Sequence, residues 1–164
     1  AVWEELKKIE AEPFLKWPND ILLDNKKVCG ILSELKAEIG RIEYAVVGIG
    51  INVNQEEFPE EISEIASSLK IELKRSVNRN ELLSNILTTF EKYYFKLKNN
   101  QEEEIIDLWK DNLDIMGREV EINCNGRIYR GKAVDVSNKG ELIMKSDDGV
   151  VNSFWAGDAS LVDF

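Results

Sequence analysis

Residues 43–53, EYAVVGIGINV, restrict the fold of this chain more than any other segment. Successive side chains of a β-strand point to opposite faces of the sheet, so five of the apolar side chains of this segment share one face. They are Ala45, Val47, Ile49, Ile51 and Val53. The opposite face carries Gly48, Gly50 and Asn52. We expect a core on one side and bare backbone on the other, against which either a flat ligand lies or a helix packs closely.

The segment that precedes this strand predicts a sharp corner followed by a β-hairpin. Pro18 stops the strand before the corner, because proline cannot continue the hydrogen-bond ladder. Alternating apolar residues on both sides of a polar turn favour two antiparallel strands. The expected elements are a short strand at 14–17, a corner at 18–20, strands at 21–23 and 28–37 joined by the turn 24–27, and a turn at 39–41.

Helical periodicity predicts most of the remaining structure up to residue 116. An opening helix is expected to end before Pro13, and a long helix is expected to begin after Asn78 as its N-cap. Shorter helices are expected through 62–69 and 105–113. The apolar stripe of the long helix is expected to lie in the core. It comprises Leu82, Leu83, Ile86, Leu87, Phe90 and Tyr94.

From Gly117 onward the apolar period becomes strand-like. Five short segments alternate with turn sequences such as Asn125-Gly126, which predicts a small barrel of the SH3 or OB type. We therefore expect an α+β chain of two domains. Residues 1–116 form a partial antiparallel or mixed sheet with packed helices, and residues 117–164 form the barrel.

Composition limits the classes of function. The chain has 164 residues, enough for a buried core, and a net charge of −10. That charge argues against binding nucleic acid, whose phosphates require a basic face. No apolar run approaches the roughly 20 residues that span a bilayer, and the first turn is charged, unlike a signal peptide. We expect no membrane contact and a cytoplasmic location.

Candidate catalytic groups are limited by the absence of histidine from the sequence. A His-ligated zinc is excluded, and acid–base chemistry falls to lysine, aspartate and glutamate. We predict no protein-held metal site. Cys29 and Cys124 are expected to be reduced packing residues, because no feature of the sequence indicates secretion.

Lys27 is the main candidate for chemistry. A lysine near a turn is usually only solvent-exposed, but Asn19 and Asp20 lie across the same hairpin, and Gly30 allows a ligand to approach closely. A lysine beside a carboxamide and a carboxylate can bind a carboxylate or phosphate and stabilise developing charge. Strict alternation places Lys27 and Gly30 on opposite faces. A shared site therefore requires either that Lys27 still lies in the turn or that the strand has a bulge at Gly30.

Three motifs in this order resemble those of biotin protein ligases, which attach biotin to a lysine of a carrier protein. They are KWPND at 16–20, KVCGIL at 27–32 followed by Glu34, and GIGINV at 48–53. Any one of them alone is a weak signal, and the three together are specific. The family also ends in a small SH3-like domain, which residues 117–164 match. The resemblance implies the C-terminal part of a class II synthetase-like ligase core followed by that domain.

The resemblance implies a two-step reaction that uses ATP, Mg²⁺ and biotin. Biotin first attacks the α-phosphate of ATP to give biotinyl-5′-AMP and pyrophosphate. A lysine of a biotin carboxyl carrier protein then takes the biotinyl group and releases AMP. The implied catalytic residues are Lys27 and Asp20, with Asp20 near the incoming carrier lysine. The implied biotin-binding residues are Lys27, Gly30, Leu32 and Gly48, and the implied ATP contacts are Asn19, Lys27 and Asn52.

Family members carry, upstream of KWPND, a loop rich in glycine and arginine that closes over the adenylate, and this chain shows no such segment. We therefore expect weak or absent ligase activity from the chain alone, and an exposed sheet edge through which it forms a homodimer. The alternative is a non-catalytic module that binds the carrier or assembles with a second subunit. A lipoate-attaching relative is a third possibility, which the KWPND and GIGIN motifs together disfavour. Some family members also carry a DNA-binding helix-turn-helix, and we expect none within this chain.

Overall fold

The computed structural model of the chain describes residues 1–38 and 41–162. The expected turn at 39–41 therefore falls largely outside the described residues. The described helices are α1 (Val2–Lys8), α2 (Leu69–Leu73), α3 (Arg79–Lys98) and α4 (Glu102–Lys110). The described strands are β1 (Phe14–Lys16), β2 (Asp20–Leu23), β3 (Lys26–Glu38), β4 (Arg41–Ile51), β5 (Glu119–Cys124), β6 (Arg127–Val136), β7 (Leu142–Lys145), β8 (Val151–Phe154) and β9 (Asp158–Leu161). The α+β fold class is confirmed.

The first sheet has the strand order β1-β2-β3-β4, and every neighbouring pair is antiparallel. The turn between β2 and β3 is shorter than expected, because Asp24 and Asn25 alone make it. Their φ angles of 46° and 60° lie in the left-handed region that a two-residue hairpin turn requires. Lys26 and Lys27 therefore belong to β3, and the expectation that they lie in the turn was wrong.

Helix α3 begins after Asn78, as expected, and the Asn78 side chain accepts hydrogen bonds from the backbone N–H groups of Asn80 and Glu81. Only part of its predicted apolar stripe is core. Leu82 and Ile86 are buried, while Leu83, Leu87, Phe90 and Tyr94 are exposed. The stripe is wider than the contact with α1, so one edge of it faces solvent. Among the described helices, none is long and apolar enough to cross a membrane.

The short helix expected at 62–69 begins later than predicted. A single 3₁₀ turn occupies Glu60–Ile62, and α2 begins at Leu69 with Ser68 as its N-cap. Between them, Ala66 forms a parallel bridge with Lys27. These residues are irregular because their backbone groups bond to β3 rather than to a helix.

The second sheet has the order β8-β7-β6-β5-β9, with all neighbouring pairs antiparallel. The five strands expected after Gly117 are all present. A hydrophobic core of its own lies beneath this sheet, and the first sheet and its helices have another. Leu15 packs against both cores.

The KWPND corner joins the two cores. Trp17 is fully buried, and it belongs to the core of the second sheet although it follows β1 of the first. Its indole N–H donates to the Gly140 carbonyl at 3.4 Å. The sequence placed Trp17 in a corner, and the structure shows that this corner reaches into the C-terminal unit.

The contact between α1 and α3 predicts a pH dependence of stability. Tyr93 Oη donates to the Glu4 carboxylate at 2.6 Å, and this bond, opposed by desolvation and aided by Lys92, holds the pKa of Glu4 below its usual value. A lowered folded-state pKa gives stability that is full above the unfolded-state pKa, about 4.3, and is lost as the pH falls through the folded-state value. Tyr93→Phe should lower the free energy of unfolding by about 1 kcal/mol at pH 7 and by less near pH 3.

Urea unfolding at the two pH values measures this difference. Tyr94→Phe is the matched control, because the Tyr94 side chain is exposed and the change should leave stability unaltered at both pH values. A Tyr93→Phe loss of equal size at pH 3 and pH 7 would contradict the role of the Glu4 charge.

Candidate active site

A cavity of about 470 Å³ opens on the glycine-bearing face of the first sheet. Its walls come from the corner, from the start of β3 and from the second half of β4. The lining residues are Asn19, Asp20, Lys27, Gly30, Ile31, Leu32, Gly48, Ile49 and Gly50. Most residues that the sequence proposed for the site are therefore brought together, and Asn52 is not among the lining residues.

A β-bulge places Lys27 on the cavity face. Ile21 pairs with Cys29 and Leu22 pairs with Lys27, so Val28 is an extra residue in β3. The bulge lets Val28 and Cys29 both point into the core, where both are buried. The sequence required such a bulge for a shared site but placed it at Gly30; it lies two residues earlier.

Lys27 and Asp20 form an ion pair in the cavity. Lys27 Nζ lies 2.7 Å from Asp20 Oδ1, and the side chains are 48% and 18% exposed. Asp20 Oδ1 is inaccessible to solvent, with Lys27 as its charged partner. The Lys27 side chain remains half exposed, and an ammonium group has three donors, so it can also bind an anion in the cavity.

The main chain of Lys27 is held by a segment that the sequence did not implicate. The Lys27 N–H donates to the Ile65 carbonyl at 2.8 Å, and the Ser67 N–H donates to the Lys27 carbonyl at 3.0 Å. Asn52 Nδ2 donates to the Ser67 carbonyl at 3.0 Å. The Asn52 side-chain amide therefore holds residues 65–67 in place, and these residues in turn hold the main chain of Lys27. No local sequence pattern signals this pairing, since it joins residues about 40 positions apart.

The side-chain amide of Asn19 also donates a hydrogen bond to the backbone. Its Nδ2 donates to the Ile31 carbonyl at 2.7 Å, and the Ile31 N–H donates to the Asn19 carbonyl at 2.9 Å. These two bonds attach the corner to β3 beside the cavity. Within residues 1–38 and 41–162, no group donates a hydrogen bond to the Asn19 side-chain oxygen, which can accept one from a ligand.

The glycines leave room for a ligand against the backbone. Gly30 pairs with Gly50 and Leu32 pairs with Gly48 across β3 and β4. A Cβ added at Gly48 or Gly50 would meet only backbone oxygens, at 3.7 and 3.8 Å, so no described helix packs against this face. A Cβ at Gly30 would lie 3.1 Å from Lys27 Cε and 3.5 Å from Asp20 Oδ1. A side chain at residue 30 would thus press on the end of the Lys27 side chain, which would have to move by a few tenths of an ångström.

A second cavity, of about 720 Å³, adjoins the first. It lies between the first sheet, helices α3 and α4 and the exposed Trp155 of the C-terminal unit. Asn19 and Asp20 line both cavities. Asp20 thus borders both cavities, whereas Lys27 lines only the first of the two.

Comparisons with known proteins give the family. Residues 1–52 match the Biotin/lipoate A/B protein ligase family, and residues 115–162 match the Biotin protein ligase C terminal domain. A biotin protein ligase from Aquifex aeolicus, solved in complex with biotin and ATP, superposes with a TM-score of 0.83 at 33% identity. The match covers 98% of this chain and 67% of that one. A second Aquifex aeolicus structure, "Crystal Structure Of Biotin Protein Ligase From Aquifex Aeolicus", gives 0.85 over 70% of its chain.

Curated relatives agree with the structures. The bifunctional ligase/repressor BirA of Bacillus subtilis is 35% identical over 138 residues, which is 83% of this chain and 42% of the relative. The biotin–acetyl-CoA-carboxylase ligase of Mycobacterium tuberculosis is 33% identical over 135 residues, 82% of this chain and 48% of the relative. The chain belongs to the biotin protein ligase family. It spans about two fifths to one half of the length of these curated relatives.

The surroundings of Lys27 predict an unreactive neighbouring thiol. Burial raises the pKa of Cys29 to about 12, with the Asp20 charge adding to the rise and Lys27 opposing it. Cys124 is partly exposed, and neither cysteine is in a disulfide. Because only the thiolate is alkylated, iodoacetamide at pH 8 should modify Cys124 and leave Cys29 intact in the folded chain.

Peptide mass mapping measures this difference, and the urea-unfolded chain serves as control, because both cysteines should react there. Alkylation of Cys29 at the rate of Cys124 in the folded chain would show that the start of β3 is not packed as described.

Proposed function

We propose that the chain is the C-terminal part of an ATP-dependent biotin protein ligase, which forms biotinyl-5′-AMP and transfers biotin to a lysine of a biotin carboxyl carrier protein. The observation that carries the proposal is the half-exposed Lys27 side chain, which is paired with Asp20 and lines the same cavity as the glycine backbone of β3 and β4. The division at residue 116, with residues 117–164 as an SH3-like domain, remains part of the proposal and is supported by the two separate cores. The proposed location is the cytoplasm, where ATP is abundant.

The first step joins two anions, and Lys27 is suited to it. The biotin carboxylate attacks the α-phosphorus of ATP, a carboxylate O–P bond forms, and the bond to the pyrophosphate leaving group breaks. Negative charge accumulates where the carboxylate meets the phosphate. A lysine ammonium fixed between them stabilises this charge more in the transition state than in the separated substrates. Gly30, Leu32 and Gly48 would then line the biotin side of the cavity.

The second step requires an amine without its proton. The carrier lysine attacks the acyl carbon of the adenylate, the acyl C–O bond breaks, and AMP leaves. Asp20 would orient the amine or accept its proton. Its ion pair with Lys27 in the first cavity supports this role, since the pair holds the Asp20 carboxylate beside the proposed adenylate site.

Mg²⁺ enters the proposal only with the nucleotide. Within residues 1–38 and 41–162, no three acidic or cysteine side chains gather to hold a metal ion, and Asp20 is already paired with Lys27. Mg²⁺ is commonly held through substrate phosphates and water rather than by a protein cage. We therefore assign it to the ATP phosphates and derive no step from it. The proposed nucleotide contacts are Asn19, Lys27 and Asn52, the last of which lies outside the cavity lining.

A non-catalytic module that binds the carrier or assembles with a second subunit is the alternative. It is supported by the apolar side chains exposed on β3 and β4, which include Leu35, Ile42, Tyr44 and Val46. The same strands support homodimerisation through β4, since β4 pairs with β3 alone among the described strands. Calorimetry with biotin, ATP and biotinyl-5′-AMP distinguishes the readings. Tight binding of the adenylate by this chain alone would exclude the non-catalytic module.

The role of Lys27 can be tested against its neighbour. The assay uses the chain alone and the chain joined to the portion of the Bacillus subtilis relative that it does not match. Lys27→Met should lower the rate of pyrophosphate release about 100-fold or more, because it removes the positive charge that faces the transition state. Lys26→Met is the matched control and should leave the rate unchanged, because Lys26 Nζ lies 3.5 Å from the Ser63 carbonyl, away from the cavity lining. A full rate in Lys27→Met would refute the assignment.

The glycine wall gives a second test. Gly48→Ala adds a methyl group whose nearest neighbour is the Leu32 carbonyl oxygen, at an ordinary contact distance. The fold should therefore persist, while the space for the ligand becomes smaller. Overpacking of this kind costs about 1–3 kcal/mol, so the Kd for biotin should rise about 5- to 160-fold by calorimetry. Ala45→Val adds bulk to the same strand outside the cavity lining and should leave the Kd unchanged. Equal affinity for Gly48→Ala and the unmodified chain would place biotin elsewhere.

A further inference from the structure

Three successive residues at the end of β1 and just after it contact residues outside the first sheet. They are Leu15, Lys16 and Trp17. The Leu15 N–H donates to the Asn112 carbonyl at 3.2 Å, and the Leu15 carbonyl accepts from the Asp114 N–H at 3.3 Å. Lys16 Nζ lies 2.8 Å from Asp158 Oδ1 at the start of β9. Trp17 is fully buried in the core of the second sheet. The chain is thus anchored immediately before the site.

The site begins two residues after Trp17. Asn19 makes two hydrogen bonds to Ile31 of β3, and Asp20 pairs with Lys27. Only Pro18 separates the anchored indole from these groups, and the pyrrolidine ring limits the backbone freedom at that residue. A displacement of the indole would therefore pass to Asn19 and Asp20 with little loss.

The size of the indole suits it to this task. A buried tryptophan makes many close contacts, and protein cores resist small changes of volume because they are densely packed. The Lys16–Asp158 pair is exposed on the Asp158 side and contributes little by itself. The indole is the principal anchor, and the ion pair is an accessory one.

We propose that Trp17 is a positioning residue of the site: its indole, seated in the core of the C-terminal unit, fixes Asn19 against β3 and so fixes Asp20 opposite Lys27. The C-terminal unit would then act on the chemistry without touching the substrate, through the corner rather than through a face of the cavity. The significance of this for catalysis rests on the proposed ligase function, but the structural coupling does not.

Amide hydrogen exchange followed by NMR tests the coupling without any ligase activity. The Ile31 N–H, which donates to the Asn19 carbonyl, reports on the corner. The Asn52 N–H, which donates to the Val28 carbonyl in the same sheet, is the internal reference. Trp17→Leu should increase the exchange rate of both amides, but the increase for Ile31 should be at least about tenfold larger than the increase for Asn52. The reason is that the corner loses its anchor while the rest of the sheet stays folded.

Ile86→Ala is the matched control for general loss of stability. Ile86 is buried in the core of the first sheet and does not belong to the C-terminal core. Its removal should accelerate both amides by the same factor, since both then exchange through global opening.

Trp17→Phe is the variant to use should Trp17→Leu not fold, because it keeps a buried ring but loses the indole N–H bond to Gly140, and it should also accelerate Ile31 more than Asn52. A surface variant tests the accessory anchor. Asp158→Lys places two cations side by side and should accelerate Ile31 exchange about two- to fivefold relative to Asn52, the range expected of exposed charge pairs. The double variant Lys16→Glu/Asp158→Lys restores the pair with its signs exchanged and should restore the slow rate.

The proposal is overturned if Trp17→Leu accelerates Ile31 and Asn52 equally, or, where that variant is unfolded, if Trp17→Phe accelerates the two amides equally. A selective effect on Ile31 supports the positioning role whether or not Lys27 proves catalytic. The Lys27→Met assay answers the second question separately, so that failure of one proposal is not mistaken for failure of the other.

Discussion

The single extra residue in β3 is the constraint on which the candidate site depends. Because Val28 is inserted in the ladder, β3 can bury two consecutive side chains and still present Lys27 and Gly30 on one face. A regular strand would separate them. The parallel bridge to Ala66 supports the irregular region by satisfying the Lys27 backbone groups that the bulge diverts from β2. The position of the ammonium group is thus determined by backbone hydrogen bonds, and its own flexible side chain needs to cover only the last few ångströms.

The two units of the chain are not independent supports. The corner after β1 buries its indole in the C-terminal core, while the next residues line the cavity of the first sheet. The matches to two family descriptions cover these two regions, at 1–52 and 115–162. The corner lies in the first matched region, and its indole lies in the core of the C-terminal unit. The KWPND motif of the first unit is therefore also its main attachment to the C-terminal unit.

The sequence was sufficient where local chemistry decides the structure. The alternation of residues 43–53 and the Asn78 cap predicted β4 and the start of α3, and the five C-terminal strands followed from their turns. The core expected on one face of β4 was wrong for Ala45, Val47 and Ile49, which are exposed, because alternation shows which side chains share a face but not what covers that face. Features that depend on distant partners were missed. The bulge was misplaced because its cause lies partly in the bridge from Ala66, and the helix expected at 62–69 failed for the same reason. Half of the α3 stripe was wrongly expected to be buried. Periodicity shows which face of a helix is apolar, but it does not show how much of that face a neighbouring element covers.

That exposed half of α3 also affects the behaviour of the chain in concentrated solution. Its apolar side chains, with those of β3 and β4, create a tendency to associate that the net charge of −10 opposes by mutual repulsion. Near the isoelectric point of about 4.7 the repulsion disappears while the apolar area remains. Colloidal stability is therefore expected to be lowest in mildly acidic, high-salt solution, where the charge is neutralised and what remains is screened.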